Sequence, residues 1–393
     1  MAAVPERAWG FELSRPGLEL LALCDGSRDV AALARALDWP GPSPAAREVV
    51  VRATLTRLAE AGLLMDGAPT RDPEAEDGEE DPYFAAYAHP AVHREFVGDP
   101  VRTGAYQRAI AAVVRPGDVV VDVGAGTGLL SVLAARAGAR VVHAVEPTAI
   151  ARVIPAVAAA NGVGDRVVVH RADAATLDLD ARADVLIADW VGSLVVTERV
   201  FPAAARLRDR CLASGGRVVP DEVVLHAAPA CDPGARATGP ELWSTRPAGV
   251  DLAPVGALEY RRPRTARRTV LPAALLAPAA ALHTFPCRTM TPSAARAFRA
   301  APASFVVERD AVLDGLCVYF VSRLAPGVDL DTSPGAPGTF YRQHWLPLAP
   351  RPVAAGERVT FTLAVEEDPA GAQEVTLVVE RADERSEQRY APG

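Results

Sequence analysis

Lysine is absent from this chain. Its 41 basic residues are all arginine and are outnumbered by 49 acids, a net charge of −8 over 393 residues. A surface of that sign repels phosphate backbones, which excludes nucleic acid as a partner and suits cationic ones. Long apolar runs are missing too: no uncharged stretch approaches the ~18 to 20 residues of a membrane span. The N-terminus carries no basic segment ahead of an apolar core, so no secretory signal is expected. Five scattered cysteines (Cys24, Cys211, Cys231, Cys287, Cys317) form no C-x-x-C pair. That excludes a cysteine zinc site, leaves no metal expected, and fits a reducing cytoplasm. Proline and glycine, by contrast, are plentiful at 34 and 30, which implies many short connections between elements.

The length suffices for two or three domains with cores of their own. Residues 1–66 read as a small α+β module of winged-helix type. It has a strand over 9–13, helices over 16–24, 30–37 and about 45–61, and a wing at 63–65. Asp29 is placed to N-cap the second of these helices. The stretch GAPTRDPEAEDGEEDP, residues 67–82, is acidic and nearly free of large apolar groups, so it reads as a solvated linker. Residues 83–220 alternate short β-branched runs (119–123, 141–145, 167–170, 185–189) with helical stretches, which predicts a parallel, doubly wound sheet. Residues 221–393 alternate apolar and polar side chains between prolines and predict a mostly antiparallel β-barrel or sandwich.

The chemistry concentrates in VDVGAGTGLLSVLAARAGARVVHAVEP, residues 121–147. A buried strand passes Asp122, then Gly124, Gly126 and Gly128 turn the chain into a helix, and a second strand ends on Glu146. This is the plan of a nucleotide-binding βαβ unit. Glycine lets backbone approach a ligand that side chains would block. Glu146, about 20 residues past the turn, has the reach for ribose hydroxyls. The G-A-G-T-G spacing differs from the G-x-G-x-x-G of dinucleotide sites. Asp122, two residues ahead of the first glycine, disfavours a pyrophosphate and suits a cationic amino-acid ligand.

That turn resembles motif I of the class I S-adenosylmethionine (SAM) methyltransferases, which implies SAM as cofactor. Three further segments are DPYFAAYAHPAVHREFVGDPVRTGAYQRAI (81–110), ADWVGSLVVTERVF (188–201) and DTSPGAPGTFYRQHW (331–345). Together with the turn they are similar to the protein arginine methyltransferase family over roughly residues 81–365. The resemblance implies a Rossmann-like class I methyltransferase domain followed by a β-barrel substrate domain. In its terms Tyr83, Phe84 and Tyr87 close over the cofactor as a helix, and His93 and Arg102 lie near its methionine carboxylate. Asp122 and the three glycines hold its methionine part, Glu146 takes the ribose, and Asp173 lies near the adenine. The family has glutamate one position after that last residue, where Ala174 stands here. Asp99 and His344 match a pair joining the N-terminal helix to the β domain, with His344 a proton acceptor as well. Trp243, Gly249 and Asp251, in an interruption over about 229–262, resemble a dimerisation arm and imply a homodimer.

The acceptor site departs from the family. Arginine methyltransferases hold the substrate guanidinium between two glutamates of one loop; here the first is Asp189 and the second Glu198. Two carboxylates bind a cationic nitrogen, orient its lone pair and receive the released proton. Shortening the first withdraws its oxygens by about 1.5 Å, which predicts poorer guanidinium recognition and room for a smaller amine. In the first module, LLALCDGSRDVAALARAL and VVVRATLTRLAEAGLL resemble PqqD-like domains, which capture the leader of a ribosomally made precursor peptide as an added strand. Nine acids against seven arginines there argue against DNA reading. The expectation is a cytoplasmic SAM-dependent N-methyltransferase acting on a primary amine or arginine of a precursor peptide. Its rivals are a protein arginine methyltransferase acting on proteins and a SAM-sensing regulator with a winged helix.

Overall fold

A computed structural model describes residues 20, 23–24, 28–37, 43–60, 87–180, 182–192, 194–197, 200–368, 372–382 and 384–390. The chain divides into two compact units, Met1–Glu80 and Asp81–Gly393. In the first, helix α1 (Val30–Ala36) starts where the sequence places it, Asp29 Oδ1 accepting the Ala32 N–H at 2.7 Å. Helix α2 (Pro44–Glu60) follows. Leu20, Leu33, Ala34, Leu37 and Val51 form a small buried cluster. The expected strand 9–13, the wing 63–65, the linker 67–82 and most of the helix 16–24 lie outside the described residues.

The second unit opens with helices α3 (Pro90–Val97) and α4 (Pro100–Val113). A proline in the first turn brings a suitable φ where no N–H partner is needed. Asp99 caps α4, accepting from the Val101 and Arg102 N–H groups at 2.9 and 3.0 Å. Next come β1 (Val119–Val123), α5 (Leu129–Arg136), β2 (Val141–Val145), α6 (Ile154–Ala160), β3 (Val167–His170), β4 (Ala183–Ala188), α7 (Val200–Cys211) and β5 (Leu212–Val219). The sheet is parallel throughout, in the order β3-β2-β1-β4-β5. Every residue of β1 is buried, as a central strand covered on both faces requires, hence its run of valines. β5 is not anticipated from sequence, because Gly215 and Gly216 within LASGGRVV read as a turn. Strand order reverses between β1 and β4, which opens a crevice at their carboxyl ends. Both the glycine turn and Asp189 emerge there.

Beyond Pro220 the strands run antiparallel. Strands β6 (Glu222–Ala230), β7 (Ala266–Arg268), β8 (Ala280–Pro286), β11 (Ala311–Ala325), β12 (Val328–Asp331) and β13 (Gln343–Val353) form a six-stranded sheet in the order β7-β13-β11-β6-β8, with β12 paired to β11. Strands β9 (Phe298–Arg299), β10 (Ala303–Val306), β14 (Arg358–Glu367), β15 (Gln373–Arg381) and β16 (Glu384–Tyr390) form a second sheet. Phe285, Phe320, Leu346 and Phe361 from these sheets share one continuous core with the parallel sheet. The expected arm is an ordered helical excursion between β6 and β7, with α8 (Pro233–Ala237) and α9 (Ala253–Arg261). Trp243 secures it by donating Nε1–H to Glu259 at 2.6 Å. Leu242, Val250, Val255 and Leu258 of this excursion are exposed. No described helix is long and apolar enough to cross a membrane.

Gly315 on β11 faces the Trp345 ring across the sheet, and a Cβ there would come within 2.1 Å of Cζ2. Gly315→Ala should therefore overpack a sealed interior and destabilise the unit by roughly 2–3 kcal/mol. Thermal unfolding measures this; an unchanged midpoint would contradict the contact.

Candidate active site

At the end of β1 the three glycines adopt φ values of +72° (Gly124), +54° (Gly126) and +82° (Gly128), a region costly for side chains. Space is short as well. A Cβ on Gly126 would lie 3.0 Å from the His93 ring, and one on Gly128 2.9 Å from Ile154 Cγ2. The Gly124 and Ala125 N–H groups donate to the Val145 carbonyl at 2.9 and 3.1 Å, pinning the turn to β2. Glu146, buried just past β2, accepts the Gly126 N–H on one oxygen (2.9 Å) and the Thr148 N–H on the other (3.0 Å). A carboxylate offers about four acceptor positions, so capacity remains for ribose hydroxyls. Asp122 accepts the Ser131 hydroxyl at 2.6 Å on Oδ2, while its buried Oδ1 has no hydrogen-bond partner. Burial, reinforced by the charges of Glu146 and Asp189, pushes its carboxyl up to about 7 despite the Ser131 bond. An orphaned buried acceptor of this kind calls for a donor. Beside a glycine cradle and a carboxylate at ribose reach, it fits the amino group of SAM.

Just past β4, Asp189 is enclosed by donors. Oδ2 accepts Arg102 Nε–H at 2.6 Å and pairs with Nη2; Oδ1 accepts the hydroxyls of Tyr106 and Tyr341, each at 2.9 Å. Arg102 and Tyr106 stand four apart on one face of α4, the guanidinium 5.3 Å from the ring centroid. Burial alone would lower the Arg102 guanidinium, but Asp189 more than offsets this and holds it above its ordinary value. Burial, then the Asp189 charge, raises both phenols, which remain protonated donors. Asp189 thus uses its whole acceptor capacity. It is an anchor between α4 and the loop ahead of β13, and takes a further N–H only by releasing a donor. Of the five N–H donors of Arg102, two go to Asp189 and one to the Phe96 carbonyl at 3.1 Å. Of the rest, at least one is engaged by the Tyr341 hydroxyl oxygen.

The structure therefore gathers Asp122, the glycines, Glu146, Arg102 and Asp189 around the β1/β4 crevice, with His93 over the turn. His93 Nε2 lies 2.8 Å from the Tyr87 carbonyl, and Tyr87 stacks on Phe96. One expectation is corrected: Asp99 and His344 do not pair. The α4 cap occupies Asp99 Oδ1, while Oδ2 accepts the Phe340 N–H at 2.9 Å, so the link to the β domain runs through backbone. Both ring nitrogens of His344 are buried without partners, and burial with the nearby Arg267 lowers it to about 4. Asp173 is exposed beyond β3, accepting the Ala175 N–H at 2.8 Å. Tyr83, Phe84 and Glu198 lie outside the described residues. Sequence reasoning missed Ser131, Tyr106 and Tyr341. The four-residue spacing from Arg102 could have flagged Tyr106; nothing local flags Tyr341.

The family model of ribosomal protein L11 methyltransferase (PrmA) matches residues 103–205. The probable protein arginine N-methyltransferase 6 of Arabidopsis thaliana is 37% identical over 163 residues, 41% of this chain and only 38% of that protein's length. Protein arginine N-methyltransferase 1 of Oryza sativa subsp. indica is 28% identical over 304 residues, 76% of this chain and 77% of that protein. A solved Trypanosoma brucei PRMT1 enzyme–prozyme heterotetrameric complex with AdoHcy gives a TM-score of 0.71 at 25% identity, covering 78% of this chain and 100% of that one. Arabidopsis thaliana protein arginine methyltransferase 10 shares the fold, with a TM-score of 0.69 at 23% identity, covering 78% and 99%. Fold and turn together are similar to those of the class I, SAM-using methyltransferases. Within that class, the parallel-sheet domain joined to a β domain is similar to the protein arginine N-methyltransferases.

A cation seated beside Asp122 favours the ionised carboxylate. SAM binding at pH 6, below the free carboxyl's value of about 7, should therefore release close to one proton, and far less near pH 8.5. Calorimetry in buffers of differing ionisation enthalpy counts the protons, and Asp122→Asn should abolish the release. A count of zero at both pH values would remove Asp122 from the binding site.

Proposed function

We propose that this chain is a SAM-dependent N-methyltransferase of the protein arginine methyltransferase type, acting on an arginine of a protein or peptide. The observation that carries the reading is the convergence at the β1/β4 crevice. The glycine cradle and unpartnered Asp122 oxygen lie on one side, and the Arg102–Asp189 anchor on the other. When bound, SAM supplies an electrophilic methyl group on its sulfonium. Gly124, Gly126, Gly128 and Asp122 would hold its methionine part, Glu146 its ribose, and Arg102 its carboxylate. Asp173 is the candidate near the adenine, and Tyr83, Phe84, Tyr87 and His93 are the candidates for covering the site.

Alignment supplies most of the rate in a direct displacement. Asp189, spent on three donor side chains, positions Arg102 and α4. Glu198, nine positions further along the chain, is then the carboxylate left to accept the acceptor N–H, orient its nitrogen and take up its proton. The shorter acid anchors and the longer one meets substrate, so the loss of one methylene at position 189 does not by itself forbid a guanidinium. His344 is a weak base here and is better suited to packing than to proton removal.

The names of the relatives favour a guanidinium on a protein over an amine of a ribosomal precursor peptide. Leader capture by the first unit rests on the pattern in residues 20–64 alone. Exposed Leu242, Val250 and Leu258 on the helical excursion support a homodimer, and the reduced-cysteine pattern supports a cytoplasmic location.

Incubation with methyl-labelled SAM and arginine-containing proteins tests the activity, with mass spectrometry locating the label. Methyl groups on arginine side chains are expected; label on terminal or lysine amines would move the acceptor to a primary amine, and no label anywhere would remove the activity. Glu198→Gln should lower kcat by about 10²-fold or more while leaving the SAM Kd within about threefold. Asp189→Asn should lower kcat and the unfolding midpoint together, because it strands a buried guanidinium. A stable, fully active Asp189→Asn enzyme would refute the anchor.

A further inference from the structure

On the β-domain side of the Asp189 anchor lies an open cavity of about 550 Å³ into which three arginines converge: Arg94 of α3, Arg267 of β7 and Arg342 of the loop ahead of β13. None of the three forms an ion pair among the described residues. Two acids share the wall, Glu95 and Asp99, but the Asp99 oxygens are occupied by the N–H groups of Val101, Arg102 and Phe340. A chain of net charge −8 thus turns a positive hollow outward beside its crevice. The arginines are placed with care. Arg342 sits at φ +54°, a left-handed conformation uncommon outside glycine and retained where its surroundings enforce it. Arg267 is cross-strand partner to His344, so both project from one face of the sheet. Its charge is felt inside the protein, where it adds to burial in lowering that imidazole.

The cavity is coupled to the crevice by adjacent residues. Phe340 lines it, Tyr341 beside it donates to Asp189 Oδ1, and Arg342 lines it again. Phe96, whose carbonyl takes an Arg102 N–H, packs edge-on against Phe340 at 4.8 Å. A peptide whose acceptor nitrogen reached the crevice would lay neighbouring side chains across this hollow.

We propose that the Arg94–Arg267–Arg342 hollow is a specificity subsite that takes the carboxylate of an acidic residue flanking the methyl-accepting residue. The substrate is then an acidic peptide segment around a single basic acceptor. Guanidinium forks suit carboxylates through paired N–H donors, and the three together reject a lysine- or arginine-rich flank. The assignment of the substrate's acceptor rests on the methyl-transfer reading; binding in the hollow does not.

Two fluorescent peptides, alike except for glutamate or glutamine flanking one arginine, test this by anisotropy without turnover. The wild-type chain should bind the glutamate peptide about tenfold tighter, with the preference fading as salt screens it. Arg267→Gln with Arg342→Gln should bring the two peptides to within about threefold. Both arginines are exposed, so SAM affinity and unfolding midpoint should stay unchanged. Lysine at both positions should keep part of the preference. Equal binding to the wild type, or a preference that survives the double glutamine variant, would overturn the proposal. Tighter binding of a phosphoserine peptide than of the glutamate peptide would overturn the carboxylate assignment. Methyl transfer without the preference leaves the activity standing and the subsite refuted; the preference without transfer does the reverse.

Discussion

The second unit is organised around one buried ion pair, Arg102 with Asp189. An acid at the end of a central parallel strand would be expensive to bury alone. Here it is matched by a guanidinium and two phenols from two other elements. The pair fixes the rotation of α4 about its axis, and with it Asp99, which clamps the loop ahead of β13. The glycine turn is the second element of the crevice. Its shape depends on positive φ and on the absence of three side chains.

What was legible in the sequence follows from how far each determinant acts along the chain. The valine run of β1 needs only its own burial on both faces to be recognised, and the glycines need only the tight turn. The Asp29 cap and the position of Glu146 just past β2 are likewise local. β5 escaped notice because two glycines imitate a turn, although an ordered neighbour, β4, supplies the pairing that holds it extended. The Asp189 cluster was beyond reach for another reason. Tyr341 meets Asp189 across 152 positions, and Asp99 meets Phe340 across 241. No window of sequence contains both ends.

The Asp99–His344 expectation fails because backbone donors engage both Asp99 oxygens. A residue preceding a proline-initiated helix is first an N-cap, and one Asp99 oxygen is committed to that role by two backbone donors. The remaining oxygen found a backbone N–H before it found an imidazole. Resemblance named Asp99 and His344 without specifying which atoms would meet. The same lesson applies to Asp189, whose identity suggested an open acceptor and whose surroundings make it a keystone.

Helix α4 is secured at both of its inner contacts to the rest of the unit, by Asp99 on the Phe340 backbone and by Arg102 on Asp189. A lever held at two points cannot tilt at one without reporting at the other. A ligand that shifted the helix at one contact would, by linkage, be felt at the other by an equal factor. Any ligand that drew Phe340 outward would then disturb the setting of Arg102 at the crevice, through one fourteen-residue helix.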